Sequence, residues 1–284
     1  MKSFDYNIAF SRNIGILSKS EQEKVSQTTI AIAGMGGVGG EYLISLVRAG
    51  FQHFKICDLD AFEMANFNRQ FGANIQSIDN PKTHTMKEMA QAINPNCQIE
   101  VLDDPISSDN VHSFLKNCDL VVNGMDFFVL DAHQILIEAA NKKGIVALAA
   151  VPFGLGAGYL AFSPEKASFE QYFRFSKAKN KHEKALLFAI GFGIGSYHIQ
   201  YIDQNRINIK EKSGPSNIAG IKACSGMITT GALQTVLWPK ELKATPWATH
   251  LDFRKNKIKH CYILGGNQNP IQRFKFWFAK KKYL

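Results

Sequence analysis

The sequence predicts an α/β fold: a Rossmann-like, mostly parallel sheet with flanking helices, extended by antiparallel strands in the second half of the chain. Three observations support this prediction. Short apolar runs alternate with helix-periodic segments through residues 28–151. A glycine-rich turn, GMGGVG at 34–39, joins the first apolar run to the first long helical segment. Two later runs, 249–254 and 257–263, have the spacing of a hairpin.

The composition is that of an ordinary globular protein, since the 284 residues are 45% hydrophobic and 20% charged. We expect one structural domain with four parts. They are an N-terminal arm and helix at 1–27, a nucleotide-binding half at 28–165, a crossover loop with interface helices at 166–240, and a C-terminal hairpin with a basic helix at 241–284.

Nothing in the sequence predicts export or a membrane span. Residues 1–24 are polar, without the apolar core of a signal peptide. The apolar stretch 144–162 is interrupted by Pro152 and by glycines, which favours two strands over a transmembrane helix. Five scattered cysteines without a CxxC pair predict neither disulfides nor a structural zinc, and hence a reducing cytoplasm: Cys57, Cys97, Cys118, Cys224 and Cys261.

The glycine turn predicts a nucleotide site. Glycine permits positive φ and lets a phosphate approach the backbone closely, and the helix that follows at 41–49 offers unpaired N–H groups. The phosphate-binding candidates are therefore Gly34, Gly36, Gly37 and Gly39. Taken alone, the motif also fits a glycine-rich turn that binds nothing.

Acidic side chains follow the second predicted strand, residues 53–57. Asp58 and Asp60 come about 20 residues after the glycines, where a carboxylate can bind ribose hydroxyls. The next loop carries Asn66, Arg69 and Gln70, and Lys82 opens a helix at 82–93. Fixed cations beside phosphates favour a reaction that builds charge on a triphosphate over hydride transfer.

A third strand at 98–102, a helix at 107–117 and a fourth strand at 118–123 complete this half, before a helix at 130–143 and a strand at 145–151. Asp126 follows the fourth strand, at the edge where ligands of parallel sheets bind. It is a candidate Mg²⁺ ligand. The alternative is a helix N-cap.

The second half is predicted more coarsely. Residues 168–184 suggest a helix and a loop over the site, and 185–201 an apolar helix weakened by glycines. Residues 214–216 are expected to cap a long helix at 217–237. Cys224 lies on that helix, more consistent with a packed core thiol than with a reactive one.

The terminal segment is basic. Residues 251–284 hold nine Lys and Arg against the single acid Asp252, so most of the net charge of +9 belongs to them. A helix is predicted at 270–283, with apolar residues at helical spacing that we expect to pack on the body of the protein, leaving lysines exposed for an acidic partner. That stripe is Ile271, Phe274, Trp277 and Phe278, and the lysines are Lys280, Lys281 and Lys282.

Five spaced elements together resemble the ThiF/MoeB/E1 superfamily of adenylating enzymes: GMGGVG at 34–39, DLDAFEMANFNRQ at 58–70, NPK at 80–82, INP at 93–95 and MD at 125–126. The resemblance covers about residues 10–165. It implies that Asp58 binds the ribose and Asp126 binds Mg²⁺. It also implies that the ATP phosphates are bound by Asn66, Arg69 and Lys82, with Gln70 beside them.

The resemblance also implies a homodimer, because Ser11-Arg12-Asn13 is similar to a family motif whose arginine reaches the triphosphate of the partner subunit. The chain departs from the family in other places. Phe127 follows Asp126 where asparagine is frequent, the zinc-binding CxxC pairs are missing, and no cysteine lies between Cys118 and Cys224. A covalent thioester or persulfide step is therefore in doubt, with Cys224 a weak candidate.

The expected function is an ATP- and Mg²⁺-dependent adenylyltransferase. It would activate the C-terminal carboxylate of a ubiquitin-like or sulfur-carrier protein, or of a peptide, as an acyl-adenylate. Three alternatives stay open. One is an enzyme like the tRNA threonylcarbamoyladenosine dehydratases, with tRNA as partner, which the run at 96–111 resembles. The others are a non-catalytic subunit of a heterodimeric activator and an NAD-dependent dehydrogenase.

Overall fold

A computed structural model describes residues 3–193, 197–207 and 214–283 of the chain. The sheet within these residues has eight strands in the order β3-β2-β1-β4-β5-β6-β7-β8. Neighbouring strands from β3 to β5 are parallel, whereas β5 to β8 pair antiparallel. The predicted fold class is therefore confirmed. The strands are β1 Thr29–Ala33, β2 His53–Cys57, β3 Gln98–Leu102, β4 Leu120–Asn123, β5 Val146–Phe153, β6 Gly156–Phe162, β7 Trp247–Asp252 and β8 Lys257–Tyr262.

Helices cover both faces of this sheet. They are α1 Tyr6–Ala9, α2 Lys19–Gln27, α3 Gly37–Ala49, α4 Lys82–Ile93, α5 Val111–Phe114, α6 Leu130–Lys142, α7 Phe169–Phe173, α8 Lys181–Gly191, α9 Ile218–Leu237 and α10 Pro270–Tyr283. Among the described residues, no helix is both long and apolar enough to cross a membrane.

Strand alternation divides the core into two layers. Successive strand side chains point to opposite faces, so Ile30 and Ile32 enter one cluster while Ala31 and Ala33 enter the other. The first cluster packs against α2, α3, α4 and α9. The second packs against α5 to α8 and contains tilted and edge-to-face aromatic rings between β6 and the helices α7 and α8. The two layers fix the strand ends, and hence the edge of the sheet that carries the candidate site.

Side-chain caps define the starts of two of the helices. Ser18 caps α2, and Glu21 completes a capping box by accepting the Ser18 N–H at 2.8 Å. The long helix α9 lies where it was predicted, although its cap is Asn217, whose Oδ1 accepts the Ala219 N–H at 2.9 Å, and not residues 214–216.

Other helix boundaries differ from the predictions. The predicted helix at 107–117 is shortened to Val111–Phe114. The predicted helix at 185–201 ends at Gly191, because Gly193 has φ +98° and helical backbone stops there, and Tyr197–Gln200 forms a separate 3₁₀ turn. Gly195, which was expected to weaken this helix, lies outside the described residues. At its other end α8 begins at Lys181, inside the predicted loop.

The prediction for the apolar stripe of α10 is wrong. Ile271, Phe274, Trp277 and Phe278 are 52–68% exposed, and the opposite side of the helix faces the protein. That side buries Gln272, whose Nε2 donates to the Ile190 carbonyl at 3.2 Å. Specific polar contacts to α8 therefore set the rotation of α10, and its apolar stripe faces outward.

Candidate nucleotide site at the carboxyl edge of the sheet

The glycine turn packs directly against the end of β4. Gly34 has φ +91°, and a Cβ placed there would lie 2.4 Å from the Gly124 carbonyl oxygen. A Cβ on Gly39 would lie 1.8 Å from the Gly34 carbonyl oxygen. Neither position can carry a side chain without moving backbone. This close packing brings β4, and with it Asp126, to the glycine turn.

Gly36 and Gly37 leave more room on the ligand side of the turn. A Cβ on Gly36 would meet nothing nearer than the Gln70 side chain at 3.8 Å, and a Cβ on Gly37 would approach Ile221 Cδ1 at 3.3 Å. No side chain caps the N-terminus of the 13-residue helix α3, which begins at Gly37. The positive end of its dipole and its first N–H groups can therefore bind an anion.

Asp58 ties the end of β2 to the glycine turn. Its Oδ2 accepts the Met35 N–H at 2.6 Å, and its Oδ1 accepts the Asp60 N–H at 2.9 Å. The carboxylate is half-buried, and each of its oxygens keeps a second lone pair. The predicted ribose-binding residue thus lies beside the glycines with capacity for a hydroxyl donor.

Lys82 and Asp60, both predicted site residues, form an ion pair. The Lys82 ammonium lies 2.9 Å from Asp60 Oδ2, and the Lys82 N–H donates to the Asp60 carbonyl at 3.0 Å. Lys82 is only 6% exposed, whereas the Asp60 side chain is 61% exposed. Because an ammonium group has three N–H donors, the pairing fixes Lys82 in place and leaves donors for a phosphate.

The loop after β2 supplies the remaining predicted side chains. Buried Asn66 accepts the Glu63 N–H at 3.1 Å, which closes the 3₁₀ turn Met64–Asn66. Arg69 is half-buried, and its Nη1 donates to the Ala65 carbonyl at 2.8 Å and to Asn68 Oδ1 at 3.0 Å. These bonds use one nitrogen of a guanidinium that carries five N–H donors.

Gln70 carries an unpaired polar atom next to the turn. The side chain is 9% exposed, lies against Gly36, and has no hydrogen-bond partner for Oε1. An unpaired buried acceptor costs about 1–3 kcal/mol. A donor from a bound nucleotide would remove that cost, so this atom fits a ligand site.

Asp126 is exposed, and a buried histidine holds its loop. Asp126 Oδ1 accepts the Phe128 N–H at 2.9 Å. His133 on α6 contacts the Asp126 carbonyl through Nε2 at 3.0 Å and Asn123 Nδ2 through Nδ1 at 2.8 Å. Burial lowers the pKa of His133 to about 4. The ring is therefore neutral near pH 7, with Nε2–H donating to Asp126 and Nδ1 accepting from Asn123.

His133 was not among the site residues predicted from the sequence. The available signal is its position seven residues after Asp126, on the first turns of the helix that follows β4. A lone histidine at that spacing could not be distinguished from a surface residue, because the contact that defines it depends on Asn123 at the end of the strand.

Arg12 does not join the site of its own chain. It is exposed in the 3₁₀ turn Ser11–Asn13, and the neighbouring Asn13 donates to the Ala49 carbonyl at 3.1 Å. Ala49 is the last residue of α3, and the glycine turn is at the first. At 1.5 Å per residue the two ends are about 18 Å apart, farther than an arginine side chain extends.

The described residues offer few groups for metal binding or thiol chemistry. Within 3–193, 197–207 and 214–283, no three His, Cys, Asp or Glu side chains converge as a metal site. Asp126 can still fit Mg²⁺, which is commonly held by one or two carboxylates and the substrate phosphates. Cys224 is fully buried in the core, and burial raises its thiol pKa, so the thiolate is disfavoured there.

Comparison with known proteins gives a family match over most of the chain. The model of the ThiF family matches residues 10–269. Among curated proteins, the tRNA threonylcarbamoyladenosine dehydratase of Haemophilus influenzae is 31% identical over 126 residues, covering 44% of this chain and 48% of that protein. SUMO-activating enzyme subunit 2 of Dictyostelium discoideum is 35% identical over 118 residues, or 41% of this chain and 18% of that one.

A third relative is the sulfur carrier protein adenylyltransferase of Thermus thermophilus, 30% identical over 107 residues, which cover 38% of this chain and 40% of that protein. The aligned part of the chain thus spans about half or less of the length of these three relatives.

Solved structures share the fold at lower identity. PaaA superposes with a TM-score of 0.67 at 17% identity, over 91% of this chain and 79% of that chain. E. coli TcdA, a tRNA N6-threonylcarbamoyladenosine dehydratase solved in complex with ATP, superposes with a TM-score of 0.62 at 16% identity, over 84% of this chain and 98% of that chain. E. coli MccB, solved with MccA, superposes with a TM-score of 0.66 at 14% identity, over 89% of this chain and 69% of that chain. At these identities the likeness concerns the fold alone.

Proposed function

This chain belongs to the ThiF family, and on that premise we propose that it is an ATP-dependent adenylyltransferase that activates a carboxylate as an acyl-adenylate. A carboxylate oxygen of the substrate attacks the α-phosphorus of ATP. The bond from that phosphorus to the bridging oxygen breaks, and pyrophosphate leaves with the electron pair. Because the substrate is itself the nucleophile, the protein has to position the reactants and stabilise phosphate charge.

The observation that carries this proposal is the cluster of cationic groups at one edge of the sheet. Buried Lys82, half-buried Arg69 and the uncapped N-terminus of α3 lie around the glycine turn, which packs tightly at Gly34 and Gly39. Such a cluster suits the charge that develops on a departing pyrophosphate better than it suits hydride transfer.

Each site residue then has a distinct role. Backbone N–H groups at the start of α3 bind phosphate oxygens, and Arg69, Lys82 and Asn66 bind the phosphates from the loop side. Asp58 accepts from a ribose hydroxyl, and Gln70 Oε1 accepts from another donor of the nucleotide. Asp126 would hold Mg²⁺, which, when bound, neutralises charge on phosphate oxygens.

We propose a protein or peptide C terminus as the substrate. The names of two relatives, a SUMO-activating enzyme subunit and a sulfur carrier protein adenylyltransferase, support this class. A second candidate is a tRNA-modifying dehydratase, which the Haemophilus influenzae relative and the basic C-terminal segment support.

We also propose a homodimer in which Arg12 completes the site of the partner subunit. The support is the position of Arg12, which is exposed and next to Asn13, whose contact with Ala49 lies at the end of α3 about 18 Å from the glycine turn. An exposed arginine that does not reach its own site is available to the site of a second subunit.

ATP–pyrophosphate exchange tests the proposed activity. We expect exchange that depends on Mg²⁺ and on a carrier protein or peptide with a free C-terminal carboxylate, tested in parallel with tRNA. An amidated C terminus is the matched control and should support no exchange. Thermal stabilisation by NAD and none by ATP would point to a dehydrogenase. ATP turnover that only tRNA stimulates would favour the second candidate.

A further inference from the structure

The outward face of α10 groups four exposed large apolar side chains on one helix. Ile271, Phe274, Trp277 and Phe278 are 68%, 65%, 52% and 58% exposed and share one side of the helix. Four large apolar side chains in two turns are more than the isolated exposed residues normal for a protein surface. We define these four residues as the α10 stripe.

The α10 stripe is held rigidly. On the inward side Gln272 Nε2 donates to the Ile190 carbonyl at 3.2 Å, Phe276 packs on the second core cluster, and Lys280 pairs with Glu183. The rotation of the helix is thus fixed at both ends. The stripe does not have to be exposed by a rearrangement before a partner binds, which lowers the entropic cost of association.

The polarity of α10 directs the stripe toward the candidate nucleotide site. Gln272 contacts the end of α8 and Lys280 contacts its start, so the two helices are antiparallel. Lys184, next to Glu183, pairs with Asp131 at 2.7 Å, in the first turn of α6. Asp131 follows Asp126 by five residues. The C-terminal end of α10 therefore lies at the same edge of the sheet as the site.

The charge around the stripe is positive. Arg273 and Lys281 are exposed beside it, and residues 251–284 carry a net charge of +8. Lys281 lies over the Trp277 ring, 4.0 Å from its centroid, and Phe274 stacks on the same ring at 6.0 Å. A second copy of this stripe would bring like charges together. Nucleic-acid bases would have to stack on a Trp277 ring that Lys281 and Phe274 already contact.

From these observations we propose that the α10 stripe docks an acidic amphipathic segment of the substrate protein, just upstream of the carboxyl terminus that is activated. The apolar side of that segment covers the stripe, and its acidic residues face Arg273 and Lys281. With the stripe leading to the edge that carries Asp126, the remaining tail runs on to the nucleotide. This inference rests on the proposed function.

A peptide-binding measurement with the full chain tests the proposal without ATP. The probe is a fluorescein-labelled 14-residue peptide with leucines at i, i+3, i+4 and i+7 and glutamates elsewhere, followed by fluorescence anisotropy. We expect Phe274→Ser combined with Trp277→Ser to weaken binding at least ten-fold. Arg273→Ser combined with Lys281→Ser should weaken it several-fold at low salt and little at high salt.

One control changes the protein and the other changes the peptide. Ile75→Ser changes an equally exposed isoleucine, 72% exposed, on the loop before α4, and should bind the probe normally. A scrambled peptide that spreads the leucines around the helix should bind at least ten-fold more weakly. Since all changed side chains are exposed, each variant should keep the melting temperature of the wild type.

Three outcomes overturn the proposal: no probe binding, binding that the stripe variants leave unchanged, or tighter stripe-dependent binding of another class of ligand. The competing ligands are vesicles of 30% phosphatidylserine in phosphatidylcholine and a 20-nucleotide single-stranded RNA. ATP affinity, measured separately, distinguishes the two proposals. If the wild-type protein binds ATP but not the peptide, the docking surface alone is contradicted. If it binds the peptide but not ATP, the adenylyltransferase is contradicted.

Discussion

Lys82 and Arg69 are the side chains whose loss should affect chemistry most directly. We expect Lys82→Met or Arg69→Ala to lower ATP–pyrophosphate exchange by at least two orders of magnitude, about 3 kcal/mol of transition-state stabilisation. Methionine keeps the packing volume of buried Lys82, and Asp60, 61% exposed, stays hydrated without its partner.

Melting curves separate catalysis from folding in this experiment. Lys24→Met, on exposed surface of α2, is the control and should leave exchange unchanged. If either site variant retained wild-type exchange, its side chain would not contact the phosphates in the reaction.

His133 predicts a pH dependence of stability. Burial lowers its pKa in the folded protein to about 4, while an unfolded histidine titrates near 6.5. Between these values the unfolded state binds more protons, so the free energy of unfolding falls as pH decreases. The contribution of His133 to the free energy of unfolding is nearly complete at pH 7 and is about 2 kcal/mol smaller at pH 5.

Urea denaturation at pH 7 and pH 5 measures this term. His198, with its pKa likewise lowered to about 4 by burial, contributes in the same direction, so the variant His133→Gln isolates one residue. We expect the glutamine variant to be less stable at pH 7 and to lose about 2 kcal/mol less than the wild type between the two pH values. Equal losses would mean that His133 is already charged or already hydrated in the native state.

At the residue level, sequence patterns identified candidates without their pairings. Asp58, Arg69 and Lys82 were predicted from positions after strands and at a helix start, which are local features. The Lys82–Asp60 ion pair and the His133 contacts to Asn123 and Asp126 were not predicted. Each joins the end of one strand to the helix that follows it, β2 to α4 and β4 to α6, and only the folded packing of strand and helix determines that contact.

Among the elements, the turn into α3 offers a matched pair of glycine substitutions. Gly39→Ala would place a Cβ 1.8 Å from a backbone carbonyl, whereas Gly36→Ala meets nothing nearer than 3.8 Å. We expect Gly39→Ala to lower stability by several kcal/mol or to prevent folding, because the obstacle is backbone and cannot rotate away. Gly36→Ala should fold but weaken ATP binding at least ten-fold by blocking the approach of phosphate to the turn.

Thermal denaturation and ATP titration of both variants test this pair. The two variants should differ: Gly39→Ala should lose stability, and Gly36→Ala should lose ATP affinity. A Gly36→Ala protein with normal ATP affinity would show that the phosphates do not contact this part of the turn.

Helix α10 shows why the direction of an amphipathic helix is harder to predict than its existence. The apolar spacing of Ile271, Phe274 and Trp277 located the helix correctly but suggested that this side faces the core. Gln272 and Lys280, which α8 binds through a carbonyl and a carboxylate, set the opposite rotation. Periodicity reports that one face differs from the other, and the partner element decides which face is buried.

For the whole molecule, the glycine turn and the alternation of strands and helices predicted the parallel half of the sheet. The hairpin β7–β8 was recognised, but its place next to β6 was not, because Gly156 pairs with Asp252 across nearly 100 residues of sequence. A Cβ on Gly156 would lie 2.0 Å from the Leu251 carbonyl oxygen, so this contact needs glycine. A single sequence contains no local signal for such a long-range pairing.

The assembly proposal has its own test in subunit mixing. Arg12→Ala and Asp126→Ala each change an exposed side chain and should each give an inactive, folded protein. In a mixed dimer, the site that keeps Asp126 receives Arg12 from its partner, while the other site lacks both. After random exchange of equal amounts, about a quarter of wild-type activity should return.

Sedimentation and subunit exchange provide the controls for mixing. Activity should rise at the rate at which labelled subunits exchange, and an Arg12→Ala, Asp126→Ala double variant mixed with the Asp126→Ala protein should restore nothing. A monomer at micromolar concentration, or exchanging subunits without recovered activity, would contradict a site shared in trans. Arg12 would then be a surface residue at the far end of α3, and the site would be complete within one chain.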